Sequence, residues 1–191
     1  MFALTLCSLG WKILDIKSQF HDYTTSYVAK NPIGCMNCRM DKFDVKILSL
    51  LQEDGLASYQ EIGDAVGLSF SACHKRVKAL RASGVIERYA ALLNEEKVGY
   101  PISAYVRVTL KDQSKESLVA FEQAVSRHAE ITECVLMSGD SDYFLRILCG
   151  GIKDYDRFHR EFLTSLTGVN SVKTSFALRT VFRRNAVPIR V

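Results

Sequence analysis

A run of polar and basic side chains at residues 69–81 could form hydrogen bonds with a nucleic acid. At about 3.6 residues per turn, one face of a helix here would carry Ser71, His74, Lys75 and Lys78. Hydroxyl, imidazole and ammonium groups can contact base edges and phosphates when a helix lies in the major groove of DNA. No acidic residue occurs from Ala65 to Ile86, so the positive charge is local. The pattern predicts DNA contacts, although a solvated basic helix face would have the same composition.

The expected partner is double-stranded DNA, contacted by this helix, by the residues at its start and by one arginine beyond it. The expected DNA-binding residues are Ser69, Phe70, Ser71, His74, Lys75, Arg76, Lys78, Arg81 and Arg88. Arg88 would reach the sugar-phosphate backbone, although a single arginine at this place could equally be only exposed to solvent.

Two short helices joined by a tight turn must position these side chains. Ser58 and Glu61 have the spacing of a capping box, which predicts that the first helix begins there. Gly67 supplies the left-handed residue that often ends a helix, and Ser69 can cap the next one. In that second helix the face predicted to pack on its neighbours carries Cys73, Val77 and Leu80.

One more helix and a short strand complete a predicted winged helix-turn-helix domain. The first helix ends near residues 54–55 and has apolar side chains at helical spacing, namely Phe43, Ile47, Leu50 and Leu51. After the basic helix, residues 85–89 have the composition of a short strand. Residues 40–98 are therefore predicted to form a DNA-binding domain and its linker.

From Ile102 the apolar pattern changes to period two, which predicts a strand buried on one face and a second domain over residues 99–178. The expected order is βαββαβ, with strands near residues 102–110, 131–137, 143–148 and 172–178 and helices around Phe121 and Phe158. This order is typical of a ferredoxin-like sheet, and the whole chain is predicted to be α+β. The uncovered sheet face, with Tyr105 and Thr109, suits pairing with a second copy. Residues 179–191 form a basic tail.

Composition excludes several classes of protein. The 191 residues are 48% hydrophobic and 24% charged, which is ordinary for a globular protein, and the net charge is only +4. The sequence has no apolar run long enough for a membrane span and no basic region typical of a secretory signal. We expect a cytoplasmic protein without a membrane partner.

Residues 1–39 lack sustained periodicity and are predicted to be an appended segment, with Met40 as the natural start. The alternative is a genuine N-terminal arm that packs on a partner subunit. Cys35 and Cys38 form the only CxxC motif, and no second pair completes a structural zinc site. A redox role for this motif remains open. No catalytic residue, metal or cofactor is expected.

Residues 40–190 resemble the Lrp/AsnC family of transcriptional regulators. The motifs that carry the resemblance are residues 40–55, the run Val66 to Ser69 with Arg76 and Gly84, the sequence GDSDY at residues 139–143, and Gly168 with Val169. Two features depart from the family's pattern: residues 1–39 have no counterpart, and Arg81 stands where an acidic residue is common.

The resemblance implies a homodimer built through the C-terminal sheets and assembly to octamers or larger complexes. It also implies that an amino acid or related metabolite binds near the second hairpin, with Asp140 or Asp142 pairing with an α-ammonium group. The expected effector residues are Met137, Ser138, Gly139, Asp140, Asp142 and Tyr143. From the residues alone, the same stretch would be interpreted as a plain hairpin turn.

Two alternative functions are open at this stage. Some tetrapyrrole-pathway decarboxylases are similar in fold, but such an enzyme would need histidines or arginines that converge on one pocket. The four histidines, His21, His74, His128 and His159, are dispersed along the chain. An architectural DNA-binding protein would have the same DNA-binding helix and would lack only the effector site.

Overall fold

The computed structural model describes residues 40–190, which contain two separate hydrophobic cores. One core lies among three N-terminal helices and the other between a four-stranded sheet and two helices. The predictions for residues 1–39, including the appended segment and the Cys35–Cys38 motif, fall outside the described residues.

The N-terminal core is formed by helices α1 (Lys42–Glu53), α2 (Tyr59–Val66) and α3 (Phe70–Ala82). Each helix begins at a side-chain cap. Ser58 and Glu61 form the predicted capping box of α2, and Asp41 and Asp44 form another at the start of α1. The buried side chains come from all three helices and include Ile47, Ile62, Val66, Cys73, Val77 and Leu80. The predicted buried face of α3 is therefore confirmed.

The turn between α2 and α3 depends on two glycines. Gly67 has a φ of 78° and closes α2 in the predicted left-handed conformation. Gly63 lies inside α2 and has no Cβ atom, so the chain that leaves the turn can pass close to it. The Gly63 carbonyl accepts a hydrogen bond from the Leu68 amide at 2.8 Å. A Cβ atom at Gly63 would lie 2.7 Å from the Leu68 carbonyl oxygen. This contact fixes the angle at which α3 leaves the turn.

The predicted strand at residues 85–89 is wrong, since these residues form no strand in the structure. Their composition favours an extended chain, but a strand also needs a partner for its backbone groups. Here the Ile86 amide donates to the Leu80 carbonyl at the end of α3, and the Ile86 side chain packs against the helical core. The segment is an extension of the three-helix domain, without the strand of a wing.

The C-terminal domain has the predicted βαββαβ order. Its elements are β1 (Ile102–Leu110), α4 (Lys115–Val125), β2 (Ile131–Leu136), β3 (Tyr143–Cys149), α5 (Ile152–Glu161) and β4 (Val169–Phe176). The antiparallel sheet has the order β2-β3-β1-β4. Alternate β1 side chains, such as Val106 and Val108, are buried beneath Phe121 of α4 and Tyr155 of α5. Both helices thus cover one face of the sheet, as in a ferredoxin-like fold.

The opposite face of the sheet carries the other set of alternating side chains. Tyr105 lies on this face, with its ring stacked 5.7 Å from that of Phe144 on β3. Arg107 is directly opposite Lys173 of β4 in the register. Neither helix covers this face, as expected from the sequence, although Glu95 of the linker reaches it at Arg146, which is opposite Tyr105 in the register.

The linker and the tail connect the two cores. Glu95 of the linker accepts hydrogen bonds from Arg146 on β3 and from Arg183 in the tail, each at 2.6 Å. Further along the tail, both backbone groups of Val187 bond the side-chain amide of Gln52 on α1, at 2.6 and 3.2 Å. Ile189 then packs against the helical core. The tail therefore contacts both halves of residues 40–190.

Replacing Gly63 with alanine tests the close approach at the turn. Alanine should gain about 1 kcal/mol in helix propensity over glycine. Overpacking against a backbone oxygen costs about 1–3 kcal/mol, and a carbonyl cannot rotate away as a side chain can. We expect the clash to cancel or exceed the gain, with net destabilisation of about 0–2 kcal/mol in urea unfolding. The control is Ala65→Gly at an exposed position of the same helix, which measures the propensity difference without a clash. A Gly63→Ala variant that is more stable than wild type by that difference would contradict the contact.

Candidate DNA-binding surface and effector hairpin

The outward face of α3 carries the predicted polar and basic side chains. All four of them are exposed, namely Ser71, His74, Lys75 and Lys78. Within residues 40–190, no carboxylate forms an ion pair with Lys75 or Lys78. The packed side chains of α3 lie on its other face. The helix is therefore held by its apolar face while two ammonium groups remain available to phosphate oxygens.

Arg76 lies elsewhere on α3 and points into the helical domain. Its Nη1 atom is 2.9 Å from a carboxylate oxygen of Asp41 and 2.9 Å from one of Asp44, at the start of α1. The guanidinium also lies over the Phe43 ring, 5.4 Å from its centroid. The hydrogen bond with Asp44 raises the pKa of Arg76, and the bond with Asp41 adds to it. Because this group joins α3 to α1 and lies off the exposed stripe, Arg76 stands apart from the proposed DNA contacts.

The start of α3 combines a cap with an aromatic cluster. The Ser69 hydroxyl caps the helix by accepting from the Ala72 amide at 3.3 Å, and it lies 3.2 Å from the Ser71 hydroxyl of the exposed stripe. The next residue, Phe70, is 52% exposed. Its ring lies near those of Tyr59 and His74, with centroids 6.1 and 6.3 Å away. An exposed apolar ring thus stands at the end of α3 that precedes the lysines.

The two remaining arginines lie at and beyond the end of α3. Arg81 is exposed and its guanidinium lies 5.7 Å from the centroid of the Tyr89 ring. Arg88 is exposed in the segment that was predicted to be a wing. Arg81 follows Lys78 by one turn and continues the exposed stripe toward the end of α3, whereas Arg88 lies beyond the helix, so a DNA contact of Arg88 would lie at the margin of the stripe.

The hairpin between β2 and β3 is anchored by the carboxylate of Asp142. This side chain is 7% exposed, and its oxygens accept from the Leu110 amide at 2.7 Å and from the Gln113 side chain at 2.6 Å. The Asp142 amide donates to Val108, and its carbonyl accepts from Met137. Asp142 therefore joins the hairpin to the end of β1 and has both oxygens engaged within the chain.

The tip of the hairpin is exposed. Gly139 has a φ of 126°, a conformation that other residues rarely adopt, and the flanking Ser138 and Asp140 are open to solvent. The Met137 side chain is 44% exposed. Of the two aspartates expected to bind an ammonium group, Asp140 is thus the one whose carboxylate faces solvent.

A cavity of about 210 Å³ lies beside the base of the hairpin, between α4 and β2. Its walls are formed by Glu122, Val125, Ser126, Ile131, Cys134, Leu136 and Tyr143. Tyr143 is buried and donates its hydroxyl hydrogen bond to Glu122 at 2.8 Å. Burial raises the pKa of Tyr143, and its bond with Glu122 adds to the shift. The cavity is smaller than the ~300–1,000 Å³ of sites for drug-sized ligands, so it suits a small metabolite.

Sequence reasoning missed most of the cavity walls. Glu122, Cys134 and Leu136 are far apart in the chain, and the helix pattern indicates only that Glu122 lies on the exposed face of α4. The 58% exposure of Leu136 at the end of β2 is a property of the folded chain that no local sequence pattern indicates.

The described residues bring together no group of metal-binding side chains. Among residues 40–190, no three His, Cys, Asp or Glu side chains could share a metal ion. His128 packs against Phe162 with ring centroids 3.7 Å apart, and His159 lies near Tyr155 at 5.9 Å. These two histidines belong to separate aromatic contacts. None of the helices in this part of the chain is long and apolar enough to cross a membrane.

Comparison with known proteins identifies both halves of the chain. Residues 40–81 match the profile of the AsnC-type helix-turn-helix domain, and residues 103–187 match that of the Lrp/AsnC ligand binding domain. The Bkd operon transcriptional regulator of Pseudomonas aeruginosa is 35% identical over 150 residues, which are 78% of this chain and 98% of that protein. DecR of Escherichia coli K12, a DNA-binding transcriptional activator, is 33% identical and covers 78% of this chain and 99% of its own length.

A solved structure confirms the correspondence of the folds. The crystal structure of a transcriptional regulator of Neisseria meningitidis in complex with L-Met aligns with a TM-score of 0.75 at 32% identity. The alignment covers 78% of this chain and 96% of that chain. Since two family profiles match most of the chain and these relatives align over nearly their whole length, the protein belongs to the Lrp/AsnC family of transcriptional regulators.

Proposed function

We propose that this regulator binds specific DNA sequences through α3 and responds to an amino acid or related small metabolite bound at the β2–β3 hairpin. The observation that carries the DNA-binding half is the exposed stripe of Ser71, His74, Lys75 and Lys78 on a helix whose opposite face is packed. Ammonium groups without carboxylate partners favour phosphate, because they release counterions when they bind it. The protein would act on DNA in the cytoplasm and needs no cofactor apart from the effector.

The proposed assembly is a homodimer that associates into octamers or larger complexes. The uncovered sheet face supports pairing, because Tyr105 and Phe144 present stacked rings beside Val135, which is 39% exposed. A twofold axis would place two copies of α3 one helical turn of DNA apart, or a multiple of it, and the binding sites would be imperfect palindromes.

The proposed effector site combines the exposed hairpin tip with the neighbouring cavity. Asp140 offers a carboxylate for an α-ammonium group, and Met137 and Leu136 offer apolar contacts to a side chain. Asp142 would hold the hairpin in place without touching the ligand. The N. meningitidis relative was crystallised with L-Met, which supports an amino acid as the ligand class.

Removing the two lysines of the stripe should lower both DNA affinity and its dependence on salt. Each lost phosphate contact reduces the slope of log K against log salt by about 0.9, so the double variant Lys75→Ala/Lys78→Ala should lose roughly two units of slope. The measurement is fluorescence anisotropy with the protein's own promoter DNA, between about 50 and 200 mM salt.

Two matched variants make this measurement specific. Arg76→Ala should leave the slope unchanged and lower the thermal midpoint, because Arg76 joins α3 to Asp41 and Asp44. Lys46→Ala removes an exposed lysine from α1 and should change neither quantity. If the double variant kept the wild-type slope, the assignment of this face to DNA would be wrong.

The two aspartates of the hairpin should respond differently to conversion into asparagine. A thermal-shift screen with the twenty amino acids should find a ligand that stabilises the protein, by about 2.7 kcal/mol at 100 times its Kd. Asp140→Asn should abolish that shift with little change in the midpoint of the free protein. Asp142→Asn should cost about 1–3 kcal/mol without any ligand, since an amide cannot accept both hydrogen bonds.

Asp64→Asn on α2 is the control for a changed surface aspartate, and both its free midpoint and its ligand shift should stay near wild type. An absence of any shift with all twenty amino acids, while DNA binding persisted, would favour the architectural DNA-binding protein over the effector-dependent regulator.

A further inference from the structure

We propose that Phe70 determines specificity by contacting the 5-methyl group of a thymine in the DNA site. This inference rests on the proposed DNA-binding function of α3 and adds to it a base that the helix recognises. Phe70 is the first residue of α3 and is 52% exposed. Residues at the start of a recognition helix are those that reach base edges in the major groove.

The Phe70 ring is held in place by its neighbours. The His74 ring lies one turn further along α3, nearly parallel to it at an interplanar angle of 13° with centroids 6.3 Å apart. Tyr59 of α2 contacts both, edge-on to Phe70 at 6.1 Å and tilted against His74 at 5.0 Å. These contacts span the turn between the two helices, so the ring is ordered before any DNA arrives. A preorganised side chain loses little rotamer entropy on binding.

The chemistry of the ring limits what it can recognise. A phenyl group neither donates nor accepts a conventional hydrogen bond, so it cannot distinguish the polar edges of the bases. In the major groove the thymine 5-methyl group is the apolar feature of the standard bases, and phenylalanine is among the residues that contact it. The exposed part of Phe70 would therefore favour a T·A pair over a C·G pair at one position of each half-site.

The surroundings of Phe70 favour DNA over another protein as its partner. On the same helix Ser71, Lys75 and Lys78 are exposed, and Phe70 to Ile86 contain no carboxylate. A protein-binding aromatic residue is usually part of a wider apolar patch. Here the residues that follow Phe70 on the exposed face of α3 are polar or basic, which suits the sugar-phosphate backbone on either side of a groove.

The test uses DNA that the wild-type full chain selects from a random pool, in which each thymine is replaced in turn by deoxyuridine. Deoxyuridine differs from thymidine only by the missing methyl group. Losing one buried methyl contact should weaken wild-type binding about fourfold at one thymine of each half-site. Phe70→Ala should bind the parent DNA more weakly than wild type does. Replacing that thymine with deoxyuridine should then cause no further loss of affinity. Placing 5-methylcytosine there should restore part of the wild-type affinity lost with cytosine.

Leu56→Ala is the matched control, because Leu56 is an apolar residue of the same domain, 95% exposed and outside α3. This variant should retain the wild-type sensitivity to deoxyuridine. Phe70→Leu keeps an apolar side chain and should retain part of the sensitivity to deoxyuridine. A cooperative thermal unfolding transition in each of the three variants would show that they are folded.

The outcomes separate this inference from the proposed function. If specific, salt-dependent DNA binding is found but no thymine gives a loss that Phe70→Ala removes, the methyl contact is wrong and DNA binding stands. An equal loss in wild type and Phe70→Ala would assign the methyl group to another residue and overturn the inference as well. If the wild-type chain selects no sequence, both proposals fail.

Discussion

The orientation of α3 is set by the burial of its apolar face, and Arg76 adds an ionic contact with the two carboxylates at the start of α1. Asp41 and Asp44 already cap α1, and the hydrogen bond from the Asp44 amide is the largest cause of the lowered pKa of Asp41, with Arg76 adding to it. The same carboxylates thus cap the start of α1 and bind a side chain of α3. At about 100° per residue, Arg76 lies roughly 200° around α3 from His74 and from Lys78. The packing that places Arg76 beside α1 therefore leaves the lysine-bearing face directed outward.

Glu95 has a comparable role between the sheet and the tail. One carboxylate receives two guanidinium groups, and the bond from Arg183 is the largest cause of its lowered pKa, followed by that from Arg146. Arg146 lies on β3, the strand that begins directly after the effector hairpin, and Arg183 leads to Val187, which Gln52 of α1 holds. A continuous series of contacts thus joins the hairpin to the helical domain. Under the proposed function, it would transmit a signal only when the effector binds two arrangements of these contacts with different affinity.

Sequence reasoning predicted the parts of this structure that are set by local patterns. The capping box at Ser58, the left-handed Gly67 and the alternation from Ile102 each depend on residues a few positions apart, and each is present in the structure. The order of elements in the ferredoxin-like sheet followed from the same patterns. Packing then assembled the elements in the expected way, because each had one apolar face to bury.

The errors and omissions involve partners that are distant in the chain. Arg76 and Asp44 are separated by 32 positions, as are Leu110 and Asp142, and a sequence shows only that a charge is present, not what neutralises it. An arginine that binds phosphate and one that binds a carboxylate have the same local context. The strand predicted at residues 85–89 was wrong for a related reason. Their strand propensity was real, but the amide of Ile86 found a helix carbonyl in place of a neighbouring strand.

The two aspartates of the hairpin show how one short motif can combine two functions. Asp142 is fixed by β1 and by Gln113, and that bond pattern requires an acceptor with two oxygens. Asp140 has no such constraint, since it stands exposed beside Gly139. Replacing Asp142 would therefore disturb the hairpin itself, whereas the side chains of Asp140 and Met137 can change without breaking these bonds. In the proposed function, the residues that would contact the ligand are thus separate from the residue that fixes the hairpin.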